Sequence, residues 1–263
     1  MEIPIYQVDA FTNQPFRGNP AGICLLAEPK PEAWMQSVAA EMNLSETAFL
    51  LPEKDGYQLR WFTPLVEVDL CGHATLGSAH LLWEIGKAPQ GSEIRFHTRS
   101  GLLSASQNKD WIELNFPFAE VRAASAPEGL IESLAIEPLF TGNDGTDYLL
   151  EVENEAIVRA LQPDFNLLKN VETRCVIVTS RASSGEYDFV SRVFAPQTGV
   201  NEDPVTGSAH CALTAYWHKE LKKSTFYAYQ ASGRGGELRL RLEGERVIIS
   251  GQAVTVLHGV LLV

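Results

Sequence analysis

Basic residues are in short supply in this sequence, which has 21 Lys and Arg against 33 Asp and Glu and a formal net charge of −12. Its longest basic cluster is the pair Lys222-Lys223, so the chain lacks the basic face that nucleic acid binding requires. It also lacks an apolar run of about 18 residues, the length that crosses a membrane. Its first residues show no basic segment followed by an apolar one. We therefore expect a cytoplasmic protein whose partners include neither nucleic acid nor a membrane.

Cysteine is also scarce, with four residues spread along the chain and no Cys-x-x-Cys pair. Cys24, Cys71, Cys175 and Cys211 therefore fit reduced, buried thiols better than a disulfide framework or a zinc site. The sequence contains no strand-to-helix Gly-x-Gly-x-x-Gly and no Walker loop. We expect neither a metal ion nor an organic cofactor.

The strongest positive feature is an internal repeat. Two blocks each place an Arg-x-Phe-x-Pro segment before a Gly-Ser-Ala-His segment. They are Arg60-Trp61-Phe62-Thr63-Pro64 with Gly77-Ser78-Ala79-His80, and Arg192-Val193-Phe194-Ala195-Pro196 with Gly207-Ser208-Ala209-His210. The Gly-Ser-Ala-His segments lie 130 residues apart in a chain of 263. A duplicated fold is the simplest explanation of this spacing.

The repeat predicts two similar halves, residues 1–117 and 118–263, with the final strand as a candidate addition to the first half. Hydrophobic residues make up 45% of the chain and charged residues 21%, which is sufficient for a full core in each half. Pro117–Pro127 is the expected linker. Two like halves facing each other would form a cleft suited to a small ligand.

The spacing of apolar residues predicts three helices set among many strands. The helices cover Pro31–Met42, Ala74–Ile85 and about Gly207–Glu220. The last two are apolar on nearly every side, which is typical of a helix enclosed by other structure. The pattern therefore predicts an α/β (α+β) fold in which each half wraps a β-sheet around one central helix.

Both repeats place a loop at the start of an apolar helix. Gly72-His73-Ala74-Thr75 and Pro204-Val205-Thr206-Gly207-Ser208 would present free backbone N–H groups and the positive end of a helix dipole. This favours a small anionic substrate such as a carboxylate. Thr75, Thr206 and Ser208 are equally suited to capping their helices, and the pattern alone leaves both interpretations open.

Three ionisable side chains are candidates for acid/base chemistry. Alignment through Gly-Ser-Ala-His sets His73 against Asp203, on opposite walls of the expected cleft. Glu46 lies between an apolar helix and an apolar strand, and a carboxyl group partly buried in the cleft would be suited to proton transfer. From the residues alone, each also fits a simpler role. His73 could be a hydrogen-bonded histidine, Asp203 a turn residue and Glu46 a solvated loop residue.

Several ordered motifs carry a resemblance to a known family. In chain order they are Val8-Asp9-Ala10-Phe11-Thr12, Phe16-Arg17-Gly18-Asn19-Pro20-Ala21, Ser45-Glu46-Thr47-Ala48-Phe49, Gly72-His73-Ala74-Thr75-Leu76-Gly77, Glu202-Asp203-Pro204-Val205-Thr206-Gly207-Ser208-Ala209 and Gly233-Arg234-Gly235-Gly236. Together they resemble the phenazine-biosynthesis PhzF-like isomerases almost end to end. The resemblance implies the diaminopimelate-epimerase-like fold, with two pseudo-symmetric halves, an active site between them and a homodimer. It also implies a cofactor-independent isomerisation by proton shift, as on a dihydro-hydroxyanthranilate.

The resemblance further implies roles for particular residues. Glu46, in the Ser-Glu-Thr motif, would be the catalytic acid/base that moves the proton, assisted by His73 and Asp203. The residues that would hold the substrate are Ser45, Gly72, Ala74, Thr206, Gly207 and Ser208.

One departure from the family pattern leaves a second chemistry open. Diaminopimelate epimerase and proline racemase place a cysteine on each wall as two opposed bases, and Cys71 precedes Gly72 much as the first of those cysteines does. The second loop has no partner cysteine, because Cys211 falls inside the predicted helix. Cys71 is therefore a candidate second base, and an amino-acid epimerase or racemase is an alternative to the isomerase. A non-catalytic small-molecule binding protein is a third, against which the retention of all three ionisable side chains argues.

Overall fold

The computed structural model describes residues 2–262, which fold as two units. Unit 1 contains the residues up to Asn115 and those from Ser250 onward, and unit 2 is Phe116–Ile249. Unit 1 is therefore assembled from both ends of the chain.

Strands outnumber helices in the described residues. The strands are β1 Glu2–Ala10, β2 Asn19–Leu25, β3 Glu46–Glu53, β4 Gly56–Phe62, β5 Glu67–Val68, β6 Ile94–Thr98, β7 Gly101–Asn108, β8 Trp111–Pro117, β9 Arg122–Ala123, β10 Phe140–Asn143, β11 Tyr148–Glu151, β12 Val176–Arg181, β13 Phe189–Ala195, β14 Val200–Asp203, β15 Thr225–Gln230, β16 Gly236–Glu243, β17 Arg246–Gly251 and β18 Ala253–Leu262. The helices are α1 Glu32–Met42, α2 Gly72–Glu84, α3 Leu130–Leu134, α4 Glu155–Ala160, α5 Phe165–Leu168 and α6 Ala209–Leu221.

In unit 1, β1 lies between β18 and β2 and is antiparallel to both. β2 pairs in parallel with β3, which pairs antiparallel with β4. β4 pairs antiparallel with β5 and in parallel with β6, and β6 continues through β7 to β8 in antiparallel steps. A parallel pair needs a crossover connection. α1 lies in the connection from β2 to β3, and α2 in the connection from β5 to β6.

Unit 2 repeats this scheme. β11 is parallel to β12, which is antiparallel to β13. β13 is antiparallel to β14 and parallel to β15, and β15 is antiparallel to β16. The order matches the run from β2 to β7, with α4 and α5 in the first crossover and α6 in the second. The duplication predicted from the sequence is therefore present as a repeated strand topology.

The segment Pro117–Pro127 differs from its prediction. It is expected to be a linker between the halves, but the whole segment lies within unit 2, and its strand β9 pairs with β10. The backbone N–H of Phe118 also donates to the carbonyl of Glu245 at 3.0 Å. The segment therefore contributes to the unit 2 sheet.

Each unit has one long helix that is buried on nearly all sides. α2 packs against β1, β2, β3 and β18, and its small residues allow this closeness, since a Cβ on Gly77 would lie 3.4 Å from Val8 and Ile23 side-chain atoms. α6 is buried without interruption from Ala209 to Trp217. Both helices were predicted from their apolar character, and each begins two residues away from its predicted start.

Three short helices of unit 2 were missed by sequence reasoning. α3, α4 and α5 contain five, six and four residues, too few to show a helical period. Their apolar residues join a buried cluster with β12 and β13. Within residues 2–262, no helix combines the length and the apolarity that crossing a membrane would take. All four cysteines are free and buried, as their scattered spacing predicted.

Gly18, at the end of the β1–β2 loop, combines two backbone constraints. Its φ is +64°, and an added Cβ would lie 2.1 Å from the carbonyl oxygen of Ala10. Gly18→Ala should lower the free energy of unfolding by about 3 kcal/mol, because left-handed strain and a close contact each contribute. Chemical denaturation measures this change.

Two other glycines allow the cost of left-handed strain to be measured apart from the cost of a close Cβ contact. Gly185 has a φ of +70° and nothing within 4 Å of an added Cβ, whereas Gly233 has open space and no positive φ. Gly185→Ala should cost about 1 kcal/mol, and Gly233→Ala less than about 0.5 kcal/mol. Equal stabilities for all three variants would contradict this account of the Gly18 loop.

Candidate active site

The first group of candidate residues lies in unit 1, where β3 and α2 begin. Glu46 was expected in a loop, but it is the first residue of β3 and pairs with Ala21 of β2. The difference arises because α1 ends abruptly at Asn43, whose left-handed φ of 49° lets the chain turn toward the strand. Ser45 lies within this turn and is partly exposed. His73 is the second residue of α2, flanked by the buried Gly72 and Ala74.

His73 is the centre of this group and is only 4% exposed. Its Nε2 lies 3.3 Å from Oε2 of Glu46, whose side chain is 19% exposed. Among the described residues, His73 Nε2 has no partner in hydrogen-bonding geometry, so the contact with Glu46 is a close approach and not an aligned hydrogen bond. On the other side of the ring, Nδ1 lies 3.2 Å from Asn19 Nδ2 and 3.6 Å from Cys71 Sγ.

Burial decides the charge of His73. Removal from water lowers the pKa of this imidazole from 6.5 to about 3, because a charged ring is poorly solvated inside protein. The ring is therefore neutral near pH 7 even with a carboxylate beside it. The Asn19 amide donates to Nδ1 in the assigned orientation, which places the ring proton on Nε2, the nitrogen that faces Glu46.

Asn19 was quoted among the family motifs but was not recognised as a site residue from the sequence. Its position is set by the β1–β2 loop, where the fully buried Asp9 accepts the backbone N–H of Phe16 at 2.7 Å. Phe16 and Gly18 both have left-handed φ values, of 68° and 64°. The signal in the sequence was the Gly-Asn-Pro triplet, in which glycine supplies a conformation that other residues rarely adopt.

Three side chains of the same group carry atoms that can bind a metal ion. One donor atom each from Glu46, Cys71 and His73 lies within 4.8 Å of the others. Glu46 approaches Nε2 of the ring, however, whereas Cys71 approaches Nδ1, which is already engaged by Asn19. A single ion binds one ring nitrogen, so these side chains would have to turn before they could share it. The arrangement suits proton transfer better than metal binding.

The second group of candidate residues lies in unit 2, at the loop from β14 to α6. Asp203 is the last residue of β14, and its Oδ2 accepts a hydrogen bond from the Thr206 hydroxyl at 2.6 Å. The Thr206 N–H donates to Gln230 Oε1 at 2.9 Å, and the Thr206 carbonyl lies 2.8 Å from His210 Nδ1. Gln230 and His210 are both fully buried, and neither was identified from the sequence.

The strand register of the two units contradicts the sequence alignment that sets His73 against Asp203. In both units an arginine binds a glutamate across a hairpin and lies over a phenylalanine: Arg60 with Glu67 over Phe62, and Arg192 with Glu202 over Phe194. The glutamates occupy the same register, and the residue after each is Val68 in one hairpin and Asp203 in the other. Asp203 thus corresponds to Val68 at a strand end, whereas His73 is in a helix.

The capping interpretation of three hydroxyl groups does not hold among the described residues. No side chain there caps α2 or α6. Thr75 Oγ1 donates back to the carbonyl of Cys71 at 2.6 Å, and Thr206 donates to Asp203. Ser208 accepts from Arg174 Nη1 at 3.1 Å, and that arginine is held by the buried Asp147. Gly207 is buried in the same loop, before α6 begins.

The sequence profile described as phenazine biosynthesis-like protein (PhzC-PhzF) matches residues 8–259. The chain belongs to this family. A relative from Halalkalibacterium halodurans, named as an uncharacterized isomerase, is 56% identical over 263 residues, which cover 100% of this chain and 99% of the relative.

Solved structures agree with this assignment. A PhzF family protein from Enterococcus faecalis has a TM-score of 0.95 at 40% identity, with 100% of both chains covered. A Pseudomonas aeruginosa protein described as a predicted epimerase has a TM-score of 0.78 at 20% identity and covers 99% of both chains, a likeness of fold alone. The diaminopimelate-epimerase-like fold expected from the sequence is confirmed.

The neutral state of His73 can be measured by ¹⁵N NMR of histidine-labelled protein. Its ring should stay neutral from about pH 8 down to about pH 5, because burial lowers its pKa to about 3 and only the charged form is penalised. The proton should reside on Nε2. A His73 midpoint near 6.5 would contradict this account.

His210 provides an internal control in the same spectra. Burial lowers its pKa to about 4, and its contact with the Thr206 carbonyl requires the proton on Nδ1. The two rings should therefore show opposite tautomers. Both groups also make the free energy of unfolding fall as pH drops from 6.5 toward their folded pKa values, because the unfolded chain binds protons that the folded chain does not.

Proposed function

We propose that this protein is a cofactor-independent isomerase that moves a proton on a small carboxylate-bearing substrate, with Glu46 as the acid/base. The observation that carries the proposal is the partly exposed Glu46 carboxylate beside a buried, neutral imidazole, 3.3 Å away. Because burial keeps the His73 ring neutral, this ring places no positive charge beside the Glu46 carboxylate and does not weaken it as a base. The name isomerase carried by the Halalkalibacterium halodurans relative supports the same reaction class.

The proposed reaction has two proton transfers and no net change in the enzyme. Glu46 removes a proton from a carbon next to an unsaturated or carboxylate group, so a C–H bond breaks and the electron pair passes into the adjacent π system. The protonated Glu46, whose carboxyl group is partly exposed, exchanges its proton with solvent and then gives a proton to a different carbon of that system, and the double bond is displaced. General acid–base catalysis by one positioned carboxyl group suffices for both transfers.

The neighbours of Glu46 would hold it in place through both steps. His73 Nε2 lies close to the carboxylate without carrying charge, and Asn19 keeps the ring proton on that nitrogen. The first turn of α2 offers the backbone N–H groups of Gly72, His73 and Ala74, which have no partner within the helix. Together with the helix dipole, these groups favour the carboxylate of a substrate.

Asp203 is proposed as a second catalytic carboxylate, and Ser45, Gly207 and Ser208 as residues that hold the substrate. The support for Asp203 is its place at a strand end, with its carboxylate oriented by the Thr206 hydroxyl. Asp203→Asn tests whether this carboxylate serves the reaction in which Glu46 acts, because it should then impair the same turnover on the same substrate.

Glu46→Gln should abolish substrate-dependent proton exchange, because the amide has the shape of the acid but cannot accept the proton. Wild type and variant are incubated in D2O with small carboxylates, including amino acids and dihydro-hydroxyanthranilate. Deuterium uptake is then read by mass spectrometry and its position by NMR. We expect a loss of at least about 100-fold.

Glu53→Gln is the matched control, since Glu53 is an exposed residue at the other end of β3. It should exchange as the wild type does. Exchange that survives in Glu46→Gln would contradict the proposed role of Glu46. A chain that binds a carboxylate of the panel but exchanges none of its protons would instead support the non-catalytic binding protein.

The alternative is an epimerase or racemase in which Cys71 and Glu46 act as opposed bases. The observation that favours it is the position of Cys71 Sγ, 3.6 Å from His73 Nδ1 in the ring that Glu46 also approaches. Opposed bases invert one centre and label that centre with solvent deuterium, whereas the isomerase labels a carbon different from the one that lost its proton.

Cys71→Ala separates the two mechanisms. The isomerase proposal expects most of the exchange to remain, whereas opposed bases predict a loss of at least about 100-fold, because the second proton transfer loses its group. Cys24→Ala is the control, since Cys24 is a buried free thiol of the same unit whose pKa burial raises to about 12. A large loss in Cys71→Ala alone would favour the epimerase.

A further inference from the structure

Gln230, the last residue of β15, is a fully buried amide whose polar atoms are all engaged with the Asp203 loop. Its Oε1 accepts the N–H of Thr206 at 2.9 Å. Its Nε2 donates to the backbone carbonyl of Asp203 at 2.7 Å and to the Thr206 hydroxyl oxygen at 3.3 Å. Both amide hydrogens and the amide oxygen are therefore used, which fixes the orientation of the side chain.

This orientation determines what the Thr206 hydroxyl can do. The hydroxyl has one hydrogen, and its oxygen already accepts from Gln230 Nε2. Its hydrogen is therefore directed to Asp203 Oδ2, at 2.6 Å. His210 holds the carbonyl of the same threonine, so all three polar groups of Thr206 are fixed. The result is a directed chain from the Gln230 amide through the Thr206 hydroxyl to the Asp203 carboxylate.

We propose that Gln230 is a positioning residue, which orients the Asp203 carboxylate through the Thr206 hydroxyl. The inference rests on the proposed catalytic role of Asp203. Gln230 is suited to this task because one planar group can accept from the Thr206 backbone while donating to the Thr206 hydroxyl and to the Asp203 carbonyl. The next loop extends the support, since Ser232 Oγ donates to the Pro204 carbonyl at 2.8 Å.

Gln230→Glu tests the direction of this chain of hydrogen bonds, because it hardly changes the shape of the side chain. Burial favours the protonated form of a carboxyl group at this position. That form has a single O–H and cannot donate to both the Asp203 carbonyl and the Thr206 hydroxyl, and the ionised form donates to neither. We expect kcat to fall by about tenfold or more, as for other hydrogen bonds to charged groups, while KM changes little. Thermal melts establish that the variant is folded before its kinetics are compared.

Variants of Thr206 provide a second test of the proposal. Thr206→Val removes the hydroxyl and should reduce kcat as Gln230→Glu does, whereas Thr206→Ser keeps the hydroxyl and should restore most of the activity. If Gln230 acts through Thr206, the double variant Gln230→Glu, Thr206→Val should be no slower than either single variant. Losses that multiply, or a Thr206→Ser variant as slow as Thr206→Val, would overturn the proposal.

Gln197→Glu is the matched control in the same unit. Gln197 also donates its amide to a backbone carbonyl, that of Val171, and its hydrogen bonds go to the segment 169–171 and not to the Asp203 loop. The same chemical change at this position should leave kcat unaltered. A loss as large as that of Gln230→Glu would show that general destabilisation of unit 2 is responsible.

A readout without substrate keeps this inference separate from the proposed function. The carboxyl ¹³C resonance of Asp203, measured in protein labelled at aspartate, should move in Gln230→Glu and in Thr206→Val and stay in place in Gln197→Glu. An unmoved resonance in the first two variants overturns the positioning role even if the enzyme proves to be an isomerase. If Glu46→Gln retains activity, the proposed function fails, and this resonance still decides the role of Gln230.

Discussion

The site in unit 1 depends on keeping an imidazole uncharged inside the protein. A carboxylate 3.3 Å from His73 would ordinarily favour the imidazolium, but burial outweighs that attraction and lowers the pKa to about 3. A buried ion pair loses more hydration than it regains unless its geometry is excellent, and this contact lacks an aligned hydrogen bond. The enclosure of α2 therefore has two effects. It supplies the core of the unit, and it keeps the His73 ring in the first turn of the helix neutral.

The neutral ring in turn needs a donor on its far side, and the β1–β2 loop supplies it. Asn19 is fully buried and lies 3.2 Å from Nδ1, and the preceding Gly18 takes a left-handed conformation in which a Cβ would collide with Ala10. Asp9 holds the same loop by accepting the Phe16 N–H. Backbone strain at non-glycine residues persists where surrounding structure enforces it. The hydrogen bond to the buried Asp9 carboxylate thus helps to hold Phe16 in its strained conformation.

Sequence reasoning succeeded where the information was local or repeated. The apolar character of α2 and α6 gave their bounds to within two residues, and the Arg-x-Phe-x-Pro repeat indicated a duplication that the strand topology displays. It could not find Gln230, because the bonds to Thr206 join residues 24 positions apart. The bond from Asn19 to His73 spans 54 positions. A side chain selects such partners only after the strands have paired, and no local pattern records the choice. The short helices α3, α4 and α5 were missed because fewer than two turns carry no period.

The duplication also explains why the two units need different supports. Three residues separate β5 from α2, and five separate β14 from α6. The shorter connection brings His73 into the first turn of an enclosed helix, where burial alone controls its charge. The longer one leaves Asp203 at the end of its strand, away from the helix, and a carboxylate in that place has no helix turn to orient it. Thr206 of the loop contributes to its orientation, and Gln230 of β15 and His210 of α6 in turn hold Thr206. His73 and Asp203 are therefore not equivalent positions. Burial controls the charge of the first, whereas a hydrogen-bonded chain contributes to the orientation of the second.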